Sequence, residues 1–91
     1  VLPIIWRQRA TDKLAAIVEY IAERNPDAAA LIKAQISPAV LPAAGHPYLF
    51  RRGRVPGTRE IVAHRNYIVV YRVTASSIDM INVVHAARDY P

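Results

Sequence analysis

The chain has 91 residues, 53% of them hydrophobic, which suits one folded domain with a modest core and is too few for two. It has no cysteine, so thiol nucleophiles, disulfides and cysteine-based zinc sites are excluded. The net charge of +5 is concentrated between residues 51 and 72, where Arg51, Arg52, Arg54, Arg59, Arg65 and Arg72 are balanced only by Glu60. All of these bases are arginine, the side chain best matched to planar carboxylates and phosphates. The block reads either as a solvated basic face or as a surface for an acidic partner or nucleic acid.

The opening "VLPIIW" reads as a short strand, with Pro3 marking an edge or a beginning. "VLPIIWRQ" lacks the basic leader and small-residue cleavage site of a secretory signal, and no apolar run approaches the ~20 residues of a bilayer span. A cytoplasmic protein with no membrane partner is the expectation. The first residue is Val1, so the native start is left open.

Thr11 and Asp12 offer an N-cap for a first helix, in which Leu14, Ile17, Val18 and Ile21 form an amphipathic stripe. In "RNPD", Asn25 caps a second helix, Pro26 takes its first position and Asp27 favours its dipole. Leu31, Ile32, Gln35 and Ile36 continue that helix, and so short a connection predicts an antiparallel helix hairpin. Pro38 has no N–H to give Ala34, so the helix should kink or break there. Ser37 could cap a restart that ends near Gly45. "AAGHPYLFRRGRVPG" reads as a loop pinned by Tyr48, Leu49 and Phe50.

Three strands follow. In "TREIVAH", Arg59, Ile61 and Ala63 alternate with Glu60, Val62 and His64. "RN" is a tight turn into "YIVVYRV", which places Tyr67, Val69, Tyr71 and Val73 opposite Ile68, Val70 and Arg72. After "TASS", alternation in "IDMINVVH" sets Ile78, Met80, Asn82 and Val84 against Asp79, Ile81, Val83 and His85. The central strand should be the most buried. The sum is a single α+β domain over residues 1–91: a strand, a helix hairpin, then a three-stranded antiparallel meander covered on one face by helices.

The element order, together with "RRGRVPGTREIVAH", "NYIVVYRV" and "INVVHAARDYP", resembles the RelE/ParE superfamily of toxins from type II toxin–antitoxin systems. That resemblance is strongest over residues 51–91. It implies a two-layer RelE/ParE-like fold and neutralisation by a cognate antitoxin that wraps a segment around the toxin, with operator DNA reached only through that antitoxin. RelE-type members cut mRNA on the ribosome without metal, using basic residues and a C-terminal tyrosine or histidine. ParE-type members block DNA gyrase. Where many RelE-like members carry an arginine before the apolar "VY" element, this chain has Ile68, which favours the ParE-like branch. No cofactor or metal is expected.

RNA cleavage through the 2′-hydroxyl needs a base, an acid and cations for the phosphate. Glu60 or His85 are the candidate bases, Tyr90 or His85 the candidate acids, and Arg59, Arg72 and Arg88 the candidate cations. If the chain is RelE-like, Arg72, His85 and Tyr90 are the catalytic set. Alternation would put Arg72 and His85 on the face of Val70 and Ile81, and His85 equally reads as a structural residue closing the sheet. Arg51, Arg52, Arg54, Arg59, Arg65 and Arg88 are the candidates for binding a target or antitoxin. Composition by itself also fits a non-toxic nucleic-acid-binding module or an inactive remnant.

Overall fold

The two-residue link Arg65–Asn66 and the four-residue link 74–77 force β2 (Arg59–His64), β3 (Tyr67–Val73) and β4 (Ile78–His85) to pair antiparallel. The computed structural model describes residues 1–88, so Tyr90 lies outside the described residues. Ahead of the meander come β1 (Ile4–Trp6), α1 (Gln8–Ala22), α2 (Pro26–Ala39) and α3 (Pro42–Gly45). β1 joins β4 in parallel, Ile4 opposite Ile78 and Trp6 opposite Met80, giving the order β1-β4-β3-β2. β3 is inside the sheet, and its first five residues are buried.

The helices cover one face of the sheet. Ile32, Ile36, Val40 and Ala43 meet Ile61, Tyr67, Val69, Tyr71, Ile78, Met80 and Val83 there, with Trp6, Leu14, Ile17 and Ile21 packed around them. Each fully buried Ile or Val side chain contributes roughly 1.5–3 kcal/mol relative to exposure, so this layer carries most of the driving force. The opposite, open face holds a smaller cluster of Ile68, Val70 and Val84 with Ile81 and Ala86 against it.

Bulges change which side chains share a face. Val70 pairs with Asn82 but Tyr71 pairs with Met80, which leaves Ile81 as an extra residue in β4. Beyond it, Val83 and His85 join Ile78 and Met80 on the helix face, while Asn82 and Val84 turn to the open face. This corrects the simple alternation expected of "IDMINVVH". A second bulge at Ala63 brings His64 opposite Tyr67.

The helix boundaries also differ from expectation. α1 begins at Gln8 rather than after Thr11, because Arg7 donates its backbone N–H to Met80 (3.0 Å) and accepts from Thr11, so β1 runs directly into the helix. Asn25 does cap α2, its side chain accepting from the Ala28 N–H at 3.1 Å. Pro38 sits in the last turn of α2, where its missing donor costs a single hydrogen bond, and the break falls at Val40–Leu41. In the following loop Phe50 packs on the core, whereas Tyr48 and Leu49 are exposed.

The stretch Pro26–Gly45, with a mean hydropathy of 1.2, is long and apolar enough to cross a membrane, which the sequence reading did not anticipate. In this fold it is divided between α2 and α3, and Ile32, Ile36, Val40 and Ala43 anchor it to the sheet.

Candidate functional site

The arginine block does not stay together. β3 separates its two ends by roughly 20 Å at ~3.3 Å per residue. Arg51, Arg52, Arg54, Arg59 and Arg72 gather where β2 starts and β3 finishes, while Arg65 and Arg88 lie at the other end.

At the first end, two arginines are spent on construction. Arg59 donates to the carbonyls of Tyr48 (3.2 Å) and Phe50 (2.8 Å), and its guanidinium lies 5.0 Å from the Tyr48 ring centre. Tyr71 donates its hydroxyl to the Pro47 carbonyl and meets Phe50 edge-on. Burial raises the Tyr71 pKa above 10.0, and the nearby Arg59 charge partly offsets that. The loop of residues 46–50 is thereby tied to the sheet by one cation and one phenol.

Glu60 anchors the loop of residues 51–58. Its carboxylate accepts from Arg51 Nε at 2.9 Å and from the Arg54 backbone N–H at 3.1 Å, with the side chain only 2% exposed. Backbone bonds from Gly53 to Thr58 and from Glu60 to Arg51 extend β2 into a small hairpin. Gly53 is required there, because a Cβ would fall 2.1 Å from Thr58 Oγ1, which is itself bonded to the Val55 carbonyl. Gly57 turns with φ +82°, a conformation natural to glycine.

Arg52 and Arg72 remain exposed. Arg52 borders a cleft of about 400 Å³ with Tyr48, Pro56, Gly57 and Val73. Arg72 emerges on the open face, opposite Asp79 in register. Asp79 forms a contact that the sequence did not suggest: Arg7 Nε and Nη2 both reach its Oδ2, at 3.1 and 2.9 Å. The Ser77 hydroxyl donates to its other oxygen at 2.6 Å. Ser77 first, then Arg7 and Arg72, hold the Asp79 carboxyl below the ordinary aspartate range against the opposing effect of burial. An aspartate across a parallel strand pair from an arginine is the only signal that could have found this clamp, and register is not readable from one sequence.

The candidate nuclease residues are not assembled on one face. Arg72 is on the open face, whereas His85 lies on the helix face, its ring edge-on to Tyr67 with centres 5.4 Å apart. The Glu60 carboxylate is committed to the loop. Ile68 is 2% exposed and packed with Val70 and Val84.

Comparison with known proteins gives a consistent result. Residues 4–90 match the family model described as the ParE toxin of the type II toxin–antitoxin system parDE. Y4kP of Sinorhizobium fredii, named only provisionally as a toxin, is 39% identical over 89 residues, covering 97% of this chain and 92% of its own. Toxin RelE2 of Caulobacter vibrioides is 31% identical over 87 residues, covering 93% and 96%. A solved structure from the chromosomal ParDE system of P. aeruginosa superimposes with a TM-score of 0.82 at 22% identity, over 92% of this chain and 95% of that one.

Proposed function

We propose that this chain, which belongs to the ParE toxin family of type II toxin–antitoxin systems, arrests bacterial growth by binding DNA gyrase. As a toxin of such a system it has an antitoxin partner. The proposed action on gyrase places it in the cytoplasm, as one domain spanning residues 1–91, with operator DNA contacted only through the antitoxin. The observation that carries the gyrase reading is Ile68: a buried aliphatic side chain replaces the cation that a ribonuclease of this fold would present to the scissile phosphate.

Inhibition by binding needs a rigid surface of fixed charge rather than an acid–base pair. The loop of residues 51–58 fits that need. Arg51 and Arg59 would act through the architecture they hold, and Arg52, Arg54 and Arg72 would meet the partner's acidic groups. Arg65 and Arg88, at the far end of the sheet, would serve a separate contact.

Pulse-labelling of DNA and protein synthesis in one culture after controlled induction tests this reading. DNA synthesis should stop first, and Arg52→Gln with Arg72→Gln should delay that arrest. Protein synthesis stopping first would instead favour the second reading, ribosome-dependent mRNA cleavage, which the RelE designation of the Caulobacter relative motivates. Arg72, His85 and Tyr90 would then be the residues to examine.

A further inference from the structure

We propose that the cleft beside the loop of residues 51–58 takes an aromatic side chain and a neighbouring carboxylate from an extended acidic segment of a protein partner. This inference rests on the reading that the loop meets the toxin's target, and it names the chemistry by which that target is recognised. Tyr48, Arg52, Gly53, Pro56, Gly57 and Val73 border about 400 Å³ there, and no acidic residue is among the described residues that line it. A space of that size lies at the small end of ligand pockets and suits one or two side chains.

Tyr48 is held in place while staying open. It is 65% exposed, yet the Arg59 guanidinium stands over its ring, 5.0 Å from the centre. The same guanidinium donates to the carbonyls of Tyr48 and Phe50, so ring and backbone are fixed by one group. An exposed aromatic ring that is already positioned loses little freedom when a partner docks, which is what an anchor contact needs. Pro56 and Val73 add aliphatic surface, and Gly53 and Gly57 put no side chain into the space between. The Thr58 hydroxyl, which also lines the cleft, is spent on the Val55 carbonyl at 2.6 Å. An apolar guest therefore displaces water without breaking that bond.

Arg52 supplies the partner for the carboxylate. It is exposed, and its side chain makes no hydrogen bond or ion pair with another described residue. Glu60, the nearest acid in sequence, is 3% exposed and engaged by Arg51 and the Arg54 N–H. Arg72 adds to the positive potential, its Nε lying 4.0 Å from the point where a Gly57 Cβ would stand. A guanidinium at the rim of an apolar slot pairs well with a carboxylate, in bidentate geometry. Single-stranded nucleic acid also offers anions and rings, but it needs open aromatic faces for successive bases. Here there is one ring, with Arg59 over it, and the other walls are aliphatic or glycine.

The test titrates the purified full-length chain with a short blocked peptide carrying one phenylalanine between glutamates, followed by backbone amide resonances. Saturable shifts confined to Tyr48, Arg52, Gly53 and Gly57 are expected. Replacing the phenylalanine by alanine, or the glutamates by glutamine, should weaken binding roughly tenfold or more, as should Tyr48→Ala and Arg52→Gln in the protein. Lys33→Gln, which removes an exposed cation on α2, should leave binding unchanged. Arg52→Gln keeps the test decisive if Tyr48→Ala loosens the loop. No saturation up to about 10 mM peptide, or equal binding of the alanine peptide, would overturn the proposal. Tighter saturation of the same residues by oligothymidylate would also overturn it and assign the cleft to nucleic acid. Gyrase inhibition separates this inference from the reading beneath it. Full potency of a folded Tyr48→Ala toxin would remove the cleft and leave gyrase as the target, whereas peptide binding without gyrase inhibition would leave the cleft and remove the target.

Discussion

Replacing Glu60 by glutamine keeps the side chain's shape and removes its charge, which isolates the electrostatic anchor of the 51–58 loop. The donors to this carboxylate include Arg51 Nε at 2.9 Å and the Arg54 N–H at 3.1 Å. A carboxamide has one acceptor oxygen, so in either orientation its NH2 faces a donor. The cheaper choice keeps the oxygen on Arg54 and releases Arg51, whose side chain is 56% exposed and can return to water. Loss of that screened pair costs up to about 1 kcal/mol, and the buried, unpaired NH2 adds about 1–3 kcal/mol. The expected loss is therefore roughly 2–3 kcal/mol, or a fall in Tm of roughly 10–20 °C for a domain of this size. Thermal and urea unfolding followed by circular dichroism would measure it, with Arg51→Gln as a control expected to cost about 1 kcal/mol or less. A Glu60→Gln protein within about 0.5 kcal/mol of the parent would refute the role given to this carboxylate.

Gly53→Ala should destabilise by about 1–3 kcal/mol, because the new methyl meets Thr58 Oγ1 and breaks the hairpin closure. Chemical denaturation checks this, and a neutral result would mean the loop can shift freely. Tyr71 should ionise above 10.0 in a spectrophotometric titration, and Arg59→Gln should raise it further by removing the charge that lowers it. A fall on mutation would contradict the assigned cause. Asp79 has a depressed pKa, so its stabilising contribution is complete above the ordinary value of 3.8 and is lost as pH falls through the lower folded-state value. Asp79→Asn should accordingly be less stable at neutral pH and flatten the acid limb below pH 3.8; an unchanged limb would assign acid unfolding to other carboxylates.

Much of the fold was legible because its signals are local. The stripe of Leu14, Ile17, Val18 and Ile21, the Asn25–Pro26 helix start and the short turns at Arg65–Asn66 and 74–77 each specify an element without reference to the rest of the chain. The bulge at Ile81 was not legible, since an inserted residue leaves no trace in an alternating pattern, yet it moves His85 to the opposite face from Arg72. The charge block misled in the same way. It looks like one patch in sequence, but two of its arginines are consumed by Glu60 and by backbone carbonyls, and Arg65 lies at the far end of the sheet. Arg7 is not legible as a contact residue because it stands apart from the block, and only the pairing of β1 with β4 brings it to Asp79.

The most direct test of the central claim is gyrase-catalysed supercoiling of relaxed plasmid with purified components and a molar excess of the purified toxin. The account predicts that supercoiling is inhibited, that the cognate antitoxin relieves the inhibition, and that Arg52→Gln with Arg72→Gln weakens it while the fold is retained. Supercoiling at an undiminished rate in the presence of excess folded toxin would contradict the account.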